Sequence, residues 1–494
     1  MSRLQSFEND YEMALSPIRR LPLEITTEIL RRSWKDNEYR GISMGRRLAG
    51  FNVFTIREGP WHLGQVCSSW RNVIETLCPQ LWASITVEVP FSYKPKVLLK
   101  ADAVEMLRVV LERSRNHPLD FHFEYYGSHS EAEEAEAQIM DQCFDMMIAH
   151  SKRWRAVEMT IPPSCLPRLS LIRGKIDLLR ELYLDCLGDP PSRDIHAFEV
   201  APKLEKLHLK GMHGQANIPF PATNLISFFD IRPFSGDWLT PEYLRVIESA
   251  PNLRSFSYND YGVSLIPVPL STPGSIMATS IEELSASSPS FMRSLVLPSL
   301  KEVTLTTEWD LEMGEDVVKC PVGALDALHE MLVQSRCSLT SLRLVDVVLN
   351  NNLVNVIRLM PDLQELVIEF CEWVSDINSP VMQSLVTQMN EVSLVDGLPQ
   401  HSMVPFLQTL TVYLHTIRYA HVSFINSSFV DMVASRLRRP HDVPHLTELN
   451  LWVMGRGWSY DLDKQGEKAL NSLRDEGLEL DFSLDDGDPQ SDFD

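Results

Sequence analysis

Close pairs of metal-binding side chains are missing from this sequence. Its eight cysteines (Cys67, Cys78, Cys143, Cys165, Cys186, Cys320, Cys337 and Cys371) contain no C-x-x-C. The nearest histidine pair, His441 and His445, has Pro444 inside it and cannot present both rings on one helix face. Zinc sites draw on close pairs of thiolates or imidazoles, so no metal or other cofactor is expected. Several cysteines lie inside apolar patterns, as in "LYLDCL" and "VIEFCEW", the usage of reduced, buried thiols.

Long apolar runs are missing too, and none approaches the roughly 20 residues of a membrane span. The opening residues, "MSRLQSFENDYEMAL", hold no apolar core of a secretory signal. A cytoplasmic or nuclear protein is therefore expected. Positive charge is scarce, with 45 Lys and Arg against 67 Asp and Glu, a net of −22. A field of that sign repels phosphate backbones and argues against nucleic acid as a partner, and without a long apolar run no membrane is expected either. Catalytic motifs are absent as well: there is no G-x-S-x-G, no phosphate-binding G-x-x-x-x-G-K-[ST] and no H-E-x-x-H. The chain is expected not to be an enzyme.

What is present begins with "VCSSWRNVIETLCPQLWASITV", residues 66–87. Leu63, Val66, Cys67, Trp70, Val73, Ile74 and Leu77 recur at steps of three and four, which predicts one apolar helix stripe that ends at Cys78-Pro79. Upstream, "SPIRRLPLEITTEILRRSW" (16–34) offers a second stripe, Leu21, Ile25 and Ile29, with Leu30 adjoining and Pro22 in the first turn. The spacing predicts that Leu21, Ile25, Ile29, Val66 and Trp70 share one apolar cluster. So small a bundle is marginal alone and tends to complete its core against a partner.

These residues resemble an F-box, in the variant abundant in mushroom-forming fungi. The resemblance rests on Leu21-Pro22, Glu24-Ile25, Glu28-Ile29-Leu30, Val66-Cys67, Trp70-Arg71 and Leu81-Trp82, the last pair entering a strand. It implies a small all-α module over 17–87 that docks on the Skp-type adaptor of a cullin-RING ubiquitin ligase. It further implies adaptor contacts from Leu21, Pro22, Ile25, Ile29, Leu30, Leu63, Val66, Cys67, Trp70, Leu81 and Trp82, with the two tryptophans as anchors. The stretch 35–62 is longer and more basic than the family pattern and is expected to be an inserted loop. Residues 1–16 are expected to be a flexible start.

Beyond residue 150 a phrase recurs: leucine, two residues, apolar, one residue, apolar. Strong copies are "LRELYL" (179–184), "LEKLHL" (204–209), "LRSFSY" (253–258), "LKEVTL" (300–305), "LTSLRL" (339–344), "LQELVI" (363–368), "LQTLTV" (407–412) and "LTELNL" (446–451). Weaker ones are "WRAVEM" (154–159), "LISFFD" (225–230), "IEELSA" (281–286) and "MNEVSL" (389–394). Alternating apolar positions predict strands with one buried face. Pro202, Pro251, Pro298, Pro361, Pro405 and Pro444 each stand two residues before a copy, ending one helix and launching the next strand. Helix-period stripes fill gaps, as with Leu244 and Ile247, with Leu325, Leu328 and Leu332, and with Leu353, Val356, Ile357 and Met360. Most spacings lie near the 20–29 residues of a leucine-rich repeat. The Asn or Cys expected eight positions after the first leucine is met only by Cys371 among the strong copies.

The expected fold is therefore mixed α/β: the helical module, then an irregular leucine-rich-repeat-like solenoid over 100–482 with a curved, mostly parallel sheet, then an acidic disordered tail over 483–494. Leu182, Leu207, Leu342, Leu366 and Leu410 should be buried and stacked. The side chains between them point the other way, and an unknown protein target is expected on Tyr183, Asp185, His208, Lys210, Arg343, Glu365, Glu369, Tyr413 and Trp452. The expected function is a substrate-receptor subunit of a Skp/cullin/F-box ligase. The alternative is a repeat scaffold that recruits no ligase.

Overall fold

The computed structural model describes residues 21–35, 48, 50–89, 102–126, 131–188, 194–212, 217–231, 240–258, 276–307, 320–395, 398–438 and 445–485. The chain forms two compact units, Met1–Asn224 and Leu225–Asp494. The expected flexible start over 1–16 lies outside the described residues, as do 486–494 of the expected tail.

Unit 1 opens with helix α1 (Leu23–Lys35), strand β1 (Phe51–Asn52) and the short helices α2 (Gly59–Leu63) and α3 (Ser68–Leu77). A 3-10 turn, Pro79–Trp82, leads into β2 (Ser84–Val87). Then come α4 (Asp102–Arg113), β3 (Leu119–Glu124), α5 (Glu131–Ala149), β4 (Trp154–Ile161), β5 (Glu181–Gly188) and β6 (Lys206–Met212). The strands lie in chain order, and each pairing from β1 to β6 is parallel.

The segment 17–87 is thus not all-helical, because β1 and β2 form one side of this sheet. Its expected loop is built from Gly50 onward: Phe51 and Val53 are buried, and the amide of Val53 donates to Thr86 O (2.9 Å). Gly50 permits this approach, since a Cβ there would stand 2.7 Å from the Ile85 backbone. Residues 36–47 and 49 lie outside the described residues. The single stripe expected over Leu63–Leu77 is two helices. Cys67 is extended and caps α3, its sulfur accepting the Trp70 amide (3.5 Å), and Pro79 starts the 3-10 turn that follows.

Unit 2 contains β7 (Ser227–Ile231), α6 (Thr240–Ser249), β8 (Ser255–Tyr258), β9 (Glu283–Ser285), α7 (Pro289–Arg293), β10 (Glu302–Leu305), α8 (Ala324–Ser335) and β11 (Ser341–Val345). It continues through α9 (Asn352–Arg358), β12 (Glu365–Phe370), α10 (Ser375–Met389), β13 (Thr409–Arg418), α11 (Ser427–Leu437), β14 (Glu448–Arg456), α12 (Lys464–Ser472) and β15 (Glu479–Asp485). The strands β7 to β15 again follow chain order, with parallel pairing throughout.

The phrase leucines make the ladder that their spacing predicts. Leu182 faces Leu207, and Leu342, Leu366, Leu410, Leu449 and Leu480 follow one another in register. All are buried. The parallel pleat puts alternate residues on one face, so a shared offset becomes a row across strands. A second regularity fixes where each strand begins. One carbonyl accepts two successive amides of the next strand: Thr340 O takes Gln364 N (2.8 Å) and Glu365 N (3.0 Å), and Gln364 O takes Gln408 N (2.8 Å) and Thr409 N (3.0 Å). The stripes Leu325/Leu328/Leu332 and Leu353/Val356/Ile357/Met360 are buried as expected.

Two expectations about the repeat are corrected. "MNEVSL" does not join the parallel sheet: Val392–Val395 pairs antiparallel with Leu398–His401, and Leu394 is exposed. The sheet also extends past the last phrase through β15, so the tail expected from 483 is structured to Asp485. Asn426, which lies in an Asn-Ser-Ser triplet, caps α11 by accepting the amides of Ser428 (2.8 Å) and Phe429 (3.3 Å).

Candidate functional site

The segment 21–82 sorts its expected adaptor contacts into two groups. Outside stand Pro22, Ile25 (48% exposed), Ile29 (38%) and Val66 (56%), with Leu23, Ile56 and Leu77 also exposed. Leu21, Leu63, Cys67 and Trp70 are half-buried. Inside are Leu30, Leu81 and Trp82, which belong to the unit's own core and offer no surface to a partner. The shared cluster expected of Leu21, Ile25, Ile29, Val66 and Trp70 is corrected accordingly. Helices α1 and α3 do pack together, yet Ile25, Ile29 and Val66 face solvent.

The cause is local. Thr26 and Thr27 donate their hydroxyls to Pro22 O (3.3 Å) and Leu23 O (2.8 Å), so both bury without an unmet polar group. They turn inward with Leu30 and leave Ile25 and Ile29 outward. Trp82 sits edge-on to Trp61 (4.9 Å) and Phe51 (6.1 Å), and the Arg113 guanidinium lies 4.7 Å from its ring centre. Its indole N–H donates to Ile74 O (3.2 Å).

The face of each sheet opposite the leucines carries the residues expected to meet a target, and they fall into one group in each unit. In unit 1, Tyr183 faces His208 and Asp185 faces Lys210 across β5 and β6. His208 is a correction, because it is buried beside the Tyr183 ring (5.6 Å between centroids). The same face holds a group not singled out by sequence. His122 is buried, its Nε2 3.2 Å from Glu124 Oε2 and its Nδ1 3.6 Å from Glu158 Oε2. Glu88 lies close enough that one ligand atom each from Glu88, His122 and Glu124 falls within 4.8 Å of the others.

Burial alone would push the His122 imidazole down. The hydrogen bond to Glu124 and the charge of Glu158 outweigh it and hold the group at about 9. A raised histidine favours the folded state fully below its unfolded value of roughly 6.5 and loses that contribution as pH climbs through the folded value. Stability of unit 1 should therefore fall between about pH 6.5 and 9 by up to about 3 kcal/mol. Denaturant titrations at intervals across that range check it, and His122→Gln should flatten the slope. An equal slope in the variant would assign the titration to another group.

In unit 2 the open face holds Arg343, Glu365, Glu369, Tyr413 and Trp452. Arg343 reaches Glu369 at 2.8 Å, and His415 Nε2 lies 2.9 Å from the other Glu369 oxygen. The His415 hydrogen bond first, then Arg343, hold the Glu369 carboxyl below its ordinary value against burial. Tyr413 and Trp452 face each other in register, their rings edge-on at 5.2 Å. A cavity of about 520 Å³ opens on this face, lined by Ser257, Glu283, Glu302, Asp346 and Glu369 among others. Of the lining residues only Arg343 and Glu369 are among the expected target contacts. The available signal was the small residue at the same phrase position in three neighbouring strands, Ser257, Ser285 and Thr304, which stand in register and leave room.

Asp346 takes the turn role of the missing Asn. Its backbone is left-handed (φ 49°), and its carboxylate accepts the Cys371 amide (2.7 Å). Among the described residues, no helix is long and apolar enough to cross a membrane. The chain matches no protein-family model, and a search of curated proteins finds no match.

Proposed function

We propose that this chain is the target-binding subunit of a Skp/cullin/F-box type ubiquitin ligase. The N-terminal helices recruit the adaptor, the open face of the repeat sheet holds a protein target, and ubiquitin transfer falls to partner subunits. One observation carries the reading: Leu23, Ile25, Ile29 and Val66 are exposed on or beside two helices that pack on each other. These residues lie within the stretch that resembles an F-box. Covering a large apolar side chain contributes about 1.5–3 kcal/mol when burial is complete, so a few such residues suffice for docking.

A second reading has its own support. Leu81, Trp82 and β2 are built into unit 1, as expected of a repeat scaffold whose F-box-like helices serve only its own fold.

Affinity purification with mass spectrometry separates the two. Wild type should recover a Skp-type adaptor, and Ile25→Asp with Ile29→Asp should reduce recovery about tenfold or more while leaving co-purified targets in place. Target recovery without adaptor from wild type would favour the scaffold.

A further inference from the structure

The glutamates of unit 2 are not scattered. Glu283 stands opposite Glu302, and the same register row runs on through Ser341, Glu365, Thr409, Glu448 and Glu479. Five carboxylates and two hydroxyls thus occupy one line across seven strands, with no lysine, arginine or histidine in it. The partners that some of them have are neutral. Glu365 accepts from Ser341 Oγ (2.9 Å), and Glu448 accepts from Thr409 Oγ1 (3.2 Å) and Asn450 Nδ2 (2.8 Å). Like charges directly opposite one another oppose sheet formation. Glu302 registers this: burial, then Glu283 and Glu365, push its carboxyl above the ordinary range against the opposing charge of Lys301.

Two further features point to what would relieve the repulsion. The cavity of about 520 Å³ opens beside Glu283 and Glu302, and Ser257, only 8% exposed, is among its lining residues, its buried hydroxyl having no hydrogen-bond partner among the described residues. Arg343, whose guanidinium lines the cavity, is already bound to Glu369. On β14, Trp452 stands four residues from Glu448, on the same side of the strand, and pairs with Tyr413. Aromatic faces beside carboxylates suit guanidinium and ammonium groups.

We infer that the open face of unit 2 binds an extended polypeptide rich in arginine and lysine, laid along the glutamate row, with one long basic side chain in the cavity. Seven strands at about 4.8 Å spacing span about 29 Å, which an extended chain covers in about nine residues. As the class of target this rests on the substrate-receptor reading, but the binding itself needs no adaptor.

The experiment is fluorescence anisotropy on the purified full chain with a labelled nonapeptide of alternating arginine and alanine. Its glutamate counterpart serves as the control probe. The basic peptide should bind and weaken steeply with added salt, and the acidic one should not bind. Glu302→Gln with Glu365→Gln should weaken binding about fivefold, and Ser257→Ala about threefold. Glu105→Gln with Glu112→Gln, which removes two charges from α4 in unit 1, should change nothing. The inference is overturned if the basic peptide does not bind. It is equally overturned if the α4 variant weakens binding as much as the row variant, since the field of an acidic chain then suffices. Each variant's circular dichroism is recorded alongside. Adaptor recovery is scored separately, so a failed ligase reading and a failed peptide site give different results.

Discussion

Trp82→Ala is expected to cost unit 1 about 3–5 kcal/mol, the range for removing a fully buried large aromatic side chain. The indole is 1% exposed, and it fills the space between β2, α3 and the Trp61 and Phe51 rings. Its removal opens a cavity, takes from the Arg113 guanidinium one of the two rings beside it, and leaves Ile74 O without the indole donor. Trp82→Phe keeps the packing in part and loses chiefly the hydrogen bond, about 1 kcal/mol, plus some volume. Trp70→Ala should cost less than Trp82→Ala, because Trp70 is only half-buried. Chemical denaturation followed by circular dichroism ranks the three. A Trp82→Ala protein as stable as wild type would mean that the indole is not a core residue.

Arg436→Leu should be the most damaging single change in unit 2. The guanidinium is 2% exposed and donates to three carbonyls, Met389 O (2.7 Å), Met403 O (2.8 Å) and Val404 O (2.8 Å). Met389 is the last residue of α10, where the negative end of the helix dipole favours a cation. Val404 is held with φ at 41°, a left-handed backbone that a β-branched residue rarely adopts. A leucine removes all three donors at once. With about 1.5–3 kcal/mol for a hydrogen bond from a charged group, the loss should be at least about 3 kcal/mol. Arg436→Lys keeps the charge but not the fork and should fall between. Urea midpoints for the two variants and wild type give the order, and a leucine variant that matches wild type would contradict it.

The repeat was legible because parallel strands translate a fixed residue offset into a physical row. Once "LQELVI" and "LQTLTV" are both strands, Leu366 must meet Leu410 if the sheet is to bury them, and it does. Val392–Val395 carries the same apolar spacing yet pairs antiparallel with Leu398–His401, outside the parallel sheet. Its own signal was the Asp396-Gly397 pair between the two strands in sequence, a strong hairpin marker. Helix faces are less legible. An apolar stripe at Leu21, Ile25 and Ile29 looks like a core face, yet Thr26 and Thr27 take the inside by bonding to their own helix. Periodicity counts apolar residues, whereas burial follows whatever leaves no polar atom unmet. The glutamate row and the cavity were hidden for a related reason. A strand contributes one residue to the row and at most two polar residues to the cavity, and only the register shows that these residues are neighbours.

The proposed adaptor docking depends chiefly on the outward face of α1. Calorimetric titration of a purified Skp-type adaptor into the full chain tests it most directly. Wild type should bind with a dissociation constant at or below the micromolar range, about −8 kcal/mol. Ile25→Asp with Ile29→Asp should remove the heat, and the Glu302→Gln/Glu365→Gln protein should retain it in full. No binding by wild type, or equal binding by the α1 variant, would contradict the account.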